Sequence, residues 1–145
     1  MLLKNQRGLS LVELLATITI LSTIGILIWG VFFQGTKHSK IAISKNQMQQ
    51  EANIIISKLT KVHQTATNYS ILSNDGKIVV TYENKYGVSD MIIFEGSNYK
   101  LITSSVNNLN PGTTDLPLTI TLTDNNNSKN SISVNTKLYR LKGGG

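Results

Sequence analysis

The sequence predicts an α+β fold. A long N-terminal helix, half membrane-spanning and half amphipathic, packs on a C-terminal antiparallel β-sheet. Three observations carry this. Residues 9–33 form an apolar run with one charge, Glu13. Ile41, Met48, Ala52, Ile55, Leu59, Val62 and Ala66 then recur at steps of three, four or seven, one stripe of a helix. From residue 71 onward the period falls to two, punctuated by Gly, Asn, Asp and Pro.

The apolar run has 25 residues. At about 1.5 Å per residue it spans roughly 37 Å, more than the ~30 Å hydrocarbon core of a bilayer. Ser10, Thr17, Thr19, Ser22 and Thr23 are tolerable there if their hydroxyls bond helix carbonyls. Lys4 and Arg7 precede the run, and Lys37 and Lys40 follow it, so flanking charge is nearly balanced. The short N-terminal tail has no means of export and is placed in the cytoplasm, with the C-terminal part outside. The run exceeds the 7–15 residue core of an ordinary secretory signal. A small-x-small triplet, Ala42-Ile43-Ser44, lies beyond it and defines a rival cut after Ser44.

No Pro occurs before Pro111, so nothing forces the helix to stop at the membrane. It is expected to continue to about Thr67. Its polar side carries Lys45, Gln47, Gln50, Lys58 and Lys61. The apolar stripe needs a cover: a β-sheet, or alternatively a dimeric coiled coil. Strands are expected at 71–72 and 77–83 around an Asp75-Gly76 turn, and at 90–95 and 99–104 around Gly96-Ser97-Asn98. Residues 107–115 read as a loop. Residues 116–123 and 131–141 read as a last hairpin around 124–130. There Leu118, Ile120 and Leu122 alternate with Thr119, Thr121 and Thr123, which marks one buried face. Gly143–Gly145 reads as a flexible tail.

The 145-residue chain carries a net charge of +6 and no cysteine. Disulfides, thiolate metal sites and a cysteine nucleophile are therefore excluded. His38 and His63 stand 25 residues apart on the helix, too far to share a metal. No nucleophile elbow, acid pair or P-loop occurs. The chain does not read as an enzyme, and no cofactor is expected. Asp124, Asn126 and Ser128 alternate as oxygen side chains, but the turn Gly and terminal Glu of a calcium loop are missing; the stretch reads as a solvated turn. Near the C-terminus Lys137, Tyr139, Arg140 and Lys142 make a basic stretch with one aromatic. It fits a nucleic-acid contact or, more simply, a charged edge that resists aggregation.

Glu13 remains to be explained. An ionised carboxylate at the centre of a membrane helix costs roughly 2.5–3.5 kcal/mol on insertion scales. Its place near the end of the run reduces that cost, and an interfacial Glu is the plain reading. A cation partner would arise if the chain were cut after Gly8, because the new α-amine of Leu9 would lie four residues before Glu13. Between neighbouring helices the amine of one subunit would meet the carboxylate of the next and set their register.

A short basic leader ending in Gly8, then Leu9-Ser10-Leu11-Val12-Glu13, resembles the class III signal of type IV prepilins and pseudopilins. Their usual string is Gly followed by Phe-Thr-Leu-Ile-Glu; Leu9 replaces the Phe. The resemblance covers residues 4–33, and the layout of the rest fits the pilin fold. It implies a membrane aspartyl prepilin peptidase that cuts after Gly8 and methylates Leu9, with Glu13 as the assembly carboxylate. Losing Lys4 and Arg7 from 14 basic residues leaves 12 against 8 acidic ones, a net charge of +4.

The implied organisation is a cytoplasmic leader (1–8), a membrane and assembly helix (9–33), its amphipathic continuation (34–67), an extracytoplasmic β domain (68–142) and a Gly tail (143–145). The implied partners are the peptidase, other pilin subunits and, indirectly, an assembly ATPase with its platform. The implied role is a single-pass membrane subunit drawn into a surface filament for competence DNA uptake or protein secretion, with a competence-type minor pilin favoured. The rival from another class is a single-pass membrane protein with an external partner-binding domain, neither cut nor polymerised.

Overall fold

The computed structural model describes residues 10–140. They fall into two compact units, one ending at Lys40 and the other beginning at Ile41. One helix, α1 (Leu11–Thr65), contributes to both.

In the first unit the large apolar side chains of α1 are all exposed, from Leu11 to Phe33. The most apolar 18-residue window has a mean hydropathy of 2.3 and no buried residue. By length and composition this helix can cross a membrane. So continuous an apolar surface calls for lipid or neighbouring helices around it.

The second unit is built around the stripe read from the sequence. Met48, Ala52, Ile55, Leu59 and Val62 are buried on one face of α1, while Lys58 and Lys61 stay exposed. The stripe is covered by strands, and the coiled-coil alternative does not hold. β1 (Ala66–Asn74), β2 (Lys77–Asn84), β3 (Ser89–Glu95) and β5 (Val106–Leu109) form one antiparallel sheet in the order β3-β2-β1-β5. β4 (Tyr99–Thr103), β6 (Leu116–Asp124) and β7 (Asn127–Leu138) form a second, in the order β4-β6-β7. Ile71, Ile78 and Val80 from the first sheet share one core with Leu101, Leu118, Ile120 and Leu122 from the second. Each such side chain, fully buried, contributes about 1.5–3 kcal/mol.

The strands thus divide between two sheets instead of one. The break falls at Gly96-Ser97-Asn98. A Cβ on Gly96 would overlap the ring and carbonyl of Tyr99, so this bend is tight enough to demand glycine. It directs β4 away from β3 and across the end of the β1–β2 hairpin. There the Leu101 amide donates to the Gly76 carbonyl (2.9 Å), and the Thr103 amide donates to Ser73 Oγ (3.2 Å).

Three boundaries also differ from expectation. α1 ends at Thr65, and Ala66 opens β1 by pairing with Asn84. β5 lies partly where a loop was expected. Its asparagines have low strand propensity, but Val106 pairs with Ile71 and Leu109 with Tyr69, and tertiary pairing decides the outcome. The last turn shrinks to Asn125-Asn126, because the Asp124 carboxylate accepts the Asn126 amide (2.9 Å) and lets β7 start at Asn127. The Asp75-Gly76 turn is as read: φ is positive at both residues (49° and 74°), the geometry of the favoured two-residue hairpin.

Candidate functional site

α1 begins with a reciprocal cap. Ser10 Oγ accepts the Glu13 amide (3.2 Å), and the Glu13 carboxylate accepts the Ser10 amide (3.4 Å). The Ser10 carbonyl accepts the amides of Glu13 and Leu14 at 3.0 and 3.1 Å. This is a capping box, with Ser at the N-cap and Glu three residues on. It gives the Ser10 amide an acceptor, adds a second acceptor for the Glu13 amide, and holds the carboxylate at the positive end of the helix dipole. Sequence reasoning placed Glu13 here but grouped Ser10 with the hydroxyls that bond carbonyls. Ser-x-x-Glu before an apolar run was the available signal.

The other hydroxyls do bond carbonyls. Thr17, Thr19 and Thr23 donate to Glu13, Leu15 and Thr19 at 2.6, 2.7 and 2.8 Å, and Ser22 donates to Ile18. Every polar side chain in this stretch is thereby satisfied within the helix, leaving an apolar exterior. Gly8 and Leu9, the expected cleavage and methylation positions, lie outside the described residues.

The basic C-terminal stretch is partly committed to the fold. Lys137 Nζ pairs with Asp115 at 2.9 Å, an exposed ion pair worth about 0–1 kcal/mol. Arg140 donates to the Ala66 carbonyl (3.2 Å), and the Tyr139 carbonyl accepts Gln64 Nε2 (2.7 Å). These bonds hold residues 139 and 140 against the end of α1 and the start of β1. The Tyr139 ring remains exposed at 56 %. Lys142 lies outside the described residues.

The Asp124–Ser128 turn has a structural task. Asp124 accepts Ser44 Oγ (2.9 Å) and Asn130 Nδ2 (3.1 Å) as well as the Asn126 amide, and these bonds hold its carboxyl below the usual range. Asn130 also donates to Ser44 Oγ at 3.0 Å. Among the described residues no group of three or more His, Cys, Asp or Glu is placed to hold a metal. Ser44 lies inside α1 and is bonded to this turn, so a cut after it would break a helix that the second unit uses.

His63 is fully buried and meets the Tyr69 hydroxyl through Nδ1 at 2.8 Å, while its Nε2 has no hydrogen-bond partner among the described residues. Burial lowers its pKa below the usual 6.5; Asp115 pulls it back up and Arg140 lowers it further. Burial pushes the Tyr69 hydroxyl up to about 12. The sequence could not show this pair, because six residues and a helix–strand boundary separate its members. Since the folded His63 binds its proton less readily than the unfolded one, its neutral form stabilises the fold above pH 6.5. That stability is lost as pH falls from 6.5 through the lowered value. Thermal melts of the full chain in detergent are therefore expected to fall between about pH 7.5 and 5. His63→Gln should flatten that part of the profile; parallel profiles for the two proteins would contradict the assignment.

One long N-terminal helix, apolar in its first half and packed on antiparallel sheets in its second, is an α+β, pilin-like arrangement. A family model described as the prokaryotic N-terminal methylation motif matches residues 3–29. The match supports a type IV pilin or pseudopilin, a family of structural subunits and not of enzymes. Comparison with curated proteins and with solved structures gave no match.

Proposed function

We propose that this chain is a structural subunit of a type IV pilus or pseudopilus, cut after Gly8 by a membrane prepilin peptidase and methylated on Leu9. What carries the reading is a methylation motif on a helix whose stretch up to Phe33 exposes apolar side chains and carbonyl-bonded hydroxyls and only one charge, the capped carboxylate Glu13, at the fifth position after Gly8. Lipid covers that exterior before assembly, and neighbouring helices cover it in the filament. The Leu9 amine of one subunit pairs with Glu13 of the next and fixes their offset. Residues 1–8 act as a cytoplasmic leader, 9–33 as the membrane and assembly segment, and 68–142 as the domain outside the membrane. Withdrawal from lipid is driven by a separate ATPase and platform.

The service proposed for the filament is competence DNA uptake or protein secretion, with a competence-type minor subunit favoured. The stretch suited to touch nucleic acid carries Lys137, Tyr139, Arg140 and Lys142 in sequence, and the Tyr139 ring is exposed.

The test compares the full chain with Gly8→Ala in its native membrane. The unsubstituted chain is expected to lose residues 1–8 and to appear in filaments sheared from cells. Gly8→Ala is expected to stay full length, in the membrane, and absent from the sheared fraction. An unsubstituted chain that remains full length and never leaves the membrane would support the uncut single-pass protein instead.

A further inference from the structure

An antiparallel sheet with one face on a core ordinarily turns a polar face to water. The second sheet obeys this. Its outward rows are Lys100, Thr123 and Ser131, then Ile102, Thr121 and Ser133. The first sheet does not. Leu72, Val79 and Ile93 stand side by side in one outward row, and Met91 lies in the next with Ser70 and Thr81. Leu72, Met91 and Ile93 are 48 %, 54 % and 52 % exposed. Each end of this apolar patch carries a carboxylate. Glu95 lies in the row of Asn74 and Lys77, and Glu83 in the row of Asn68 and Ser89. Glu95 is paired with Lys77 at 2.9 Å, whereas Glu83 has no ion pair among the described residues.

The same unit shows an exposed feature of opposite charge on the polar side of α1. There Ile54 is half exposed, and Lys58 and Lys61, four and seven residues on, share its face and are exposed as well. Identical subunits joined through two different patches form an open helical polymer, whereas a patch that meets itself closes a dimer.

Resting on the filament reading above, we infer that the outer face of the first sheet is a docking surface for a second copy of this chain. That copy presents the α1 face of Ile54, Lys58 and Lys61. The row of Leu72, Val79 and Ile93 covers Ile54, and the partner's lysine charge answers Glu83. The contact is head-to-tail and adds a junction outside the membrane helix.

The chain has no cysteine, so introduced cysteines report contact without background. The experiment places Ile93→Cys and Ile54→Cys in one full-length chain, and oxidises filaments sheared from cells. The expected result is a ladder of disulfide-linked copies, with Ile93→Cys alone giving no dimer. Dimers from Ile93→Cys alone, a cross-link to a different protein, or normal filaments without a ladder would each overturn the inference. A charge test keeps it exposed to failure if the cysteines disturb assembly. Glu83→Lys should cut filament recovery at least about tenfold, and adding Lys61→Glu should restore most of it; no loss, or no rescue, counts against the surface. If the unsubstituted chain yields no sheared filament, the filament reading has failed, which these arms do not confuse with failure of the docking surface.

Discussion

Glu13→Val is expected to leave the protein in the membrane and remove it from the filament. Insertion should be no worse, since the substitution deletes the one charge in residues 9–33. On the proposed pairing, the Leu9 amine of the next subunit would be stranded among apolar side chains. Breaking a desolvated pair by removing one member costs about 3–5 kcal/mol, on the order of a hundredfold or more in each contact. Recovery in the sheared fraction should fall at least about tenfold, with total membrane protein unchanged. The capping box supplies the control. Ser10→Ala removes the cap, at about 0.5–2 kcal/mol of helix stability, but keeps the carboxylate. If Ser10→Ala abolished assembly as fully as Glu13→Val, Glu13 would matter as a cap and not as an intersubunit partner.

Ile55→Ala is expected to destabilise the second unit by about 2–5 kcal/mol. Ile55 is 0 % exposed and shares the core cluster with strands of both sheets, so its truncation leaves a cavity that both must close. At roughly 4–8 °C per kcal/mol for a domain of about 100 residues, the midpoint of thermal unfolding should drop by on the order of 10 °C or more. The adjacent Ile54 is 48 % exposed, and Ile54→Ala should shift the midpoint by no more than about 0.5 kcal/mol allows. Melts of the full chain in detergent, read by circular dichroism, compare the two. Equal shifts would mean that the stripe of α1 does not face the sheets as described.

Much of this arrangement was legible in the sequence because it rests on period and local chemistry. Met48, Ala52, Ile55, Leu59 and Val62 repeat as a helix face must, and they are the face that is buried. Leu118, Ile120 and Leu122 repeat as a strand face must, and they too are buried. Asp75-Gly76 announced its own turn. What escaped reading depends on partners far away in sequence. Val106 and Leu109 become a strand only through Ile71 and Tyr69, and the division into two sheets turns on the space Tyr99 takes at Gly96. The bonds of Ser44 to Asp124 and of Arg140 to Ala66 cross 80 and 74 residues, and no periodicity encodes them. The partnership of Ser10 with Glu13 is different. It is local and has a sequence signature, and it was hidden only because Ser10 also fits the hydroxyl pattern of a membrane helix.

Mass spectrometry of the native protein's N-terminus decides whether proteolysis creates the cation proposed to pair with Glu13. A chain beginning at Leu9 and carrying an N-methyl group is the predicted result. A chain beginning at Met1 would leave Glu13 without its amine, and one beginning at Lys45 would have lost the membrane helix altogether; either would contradict a filament subunit.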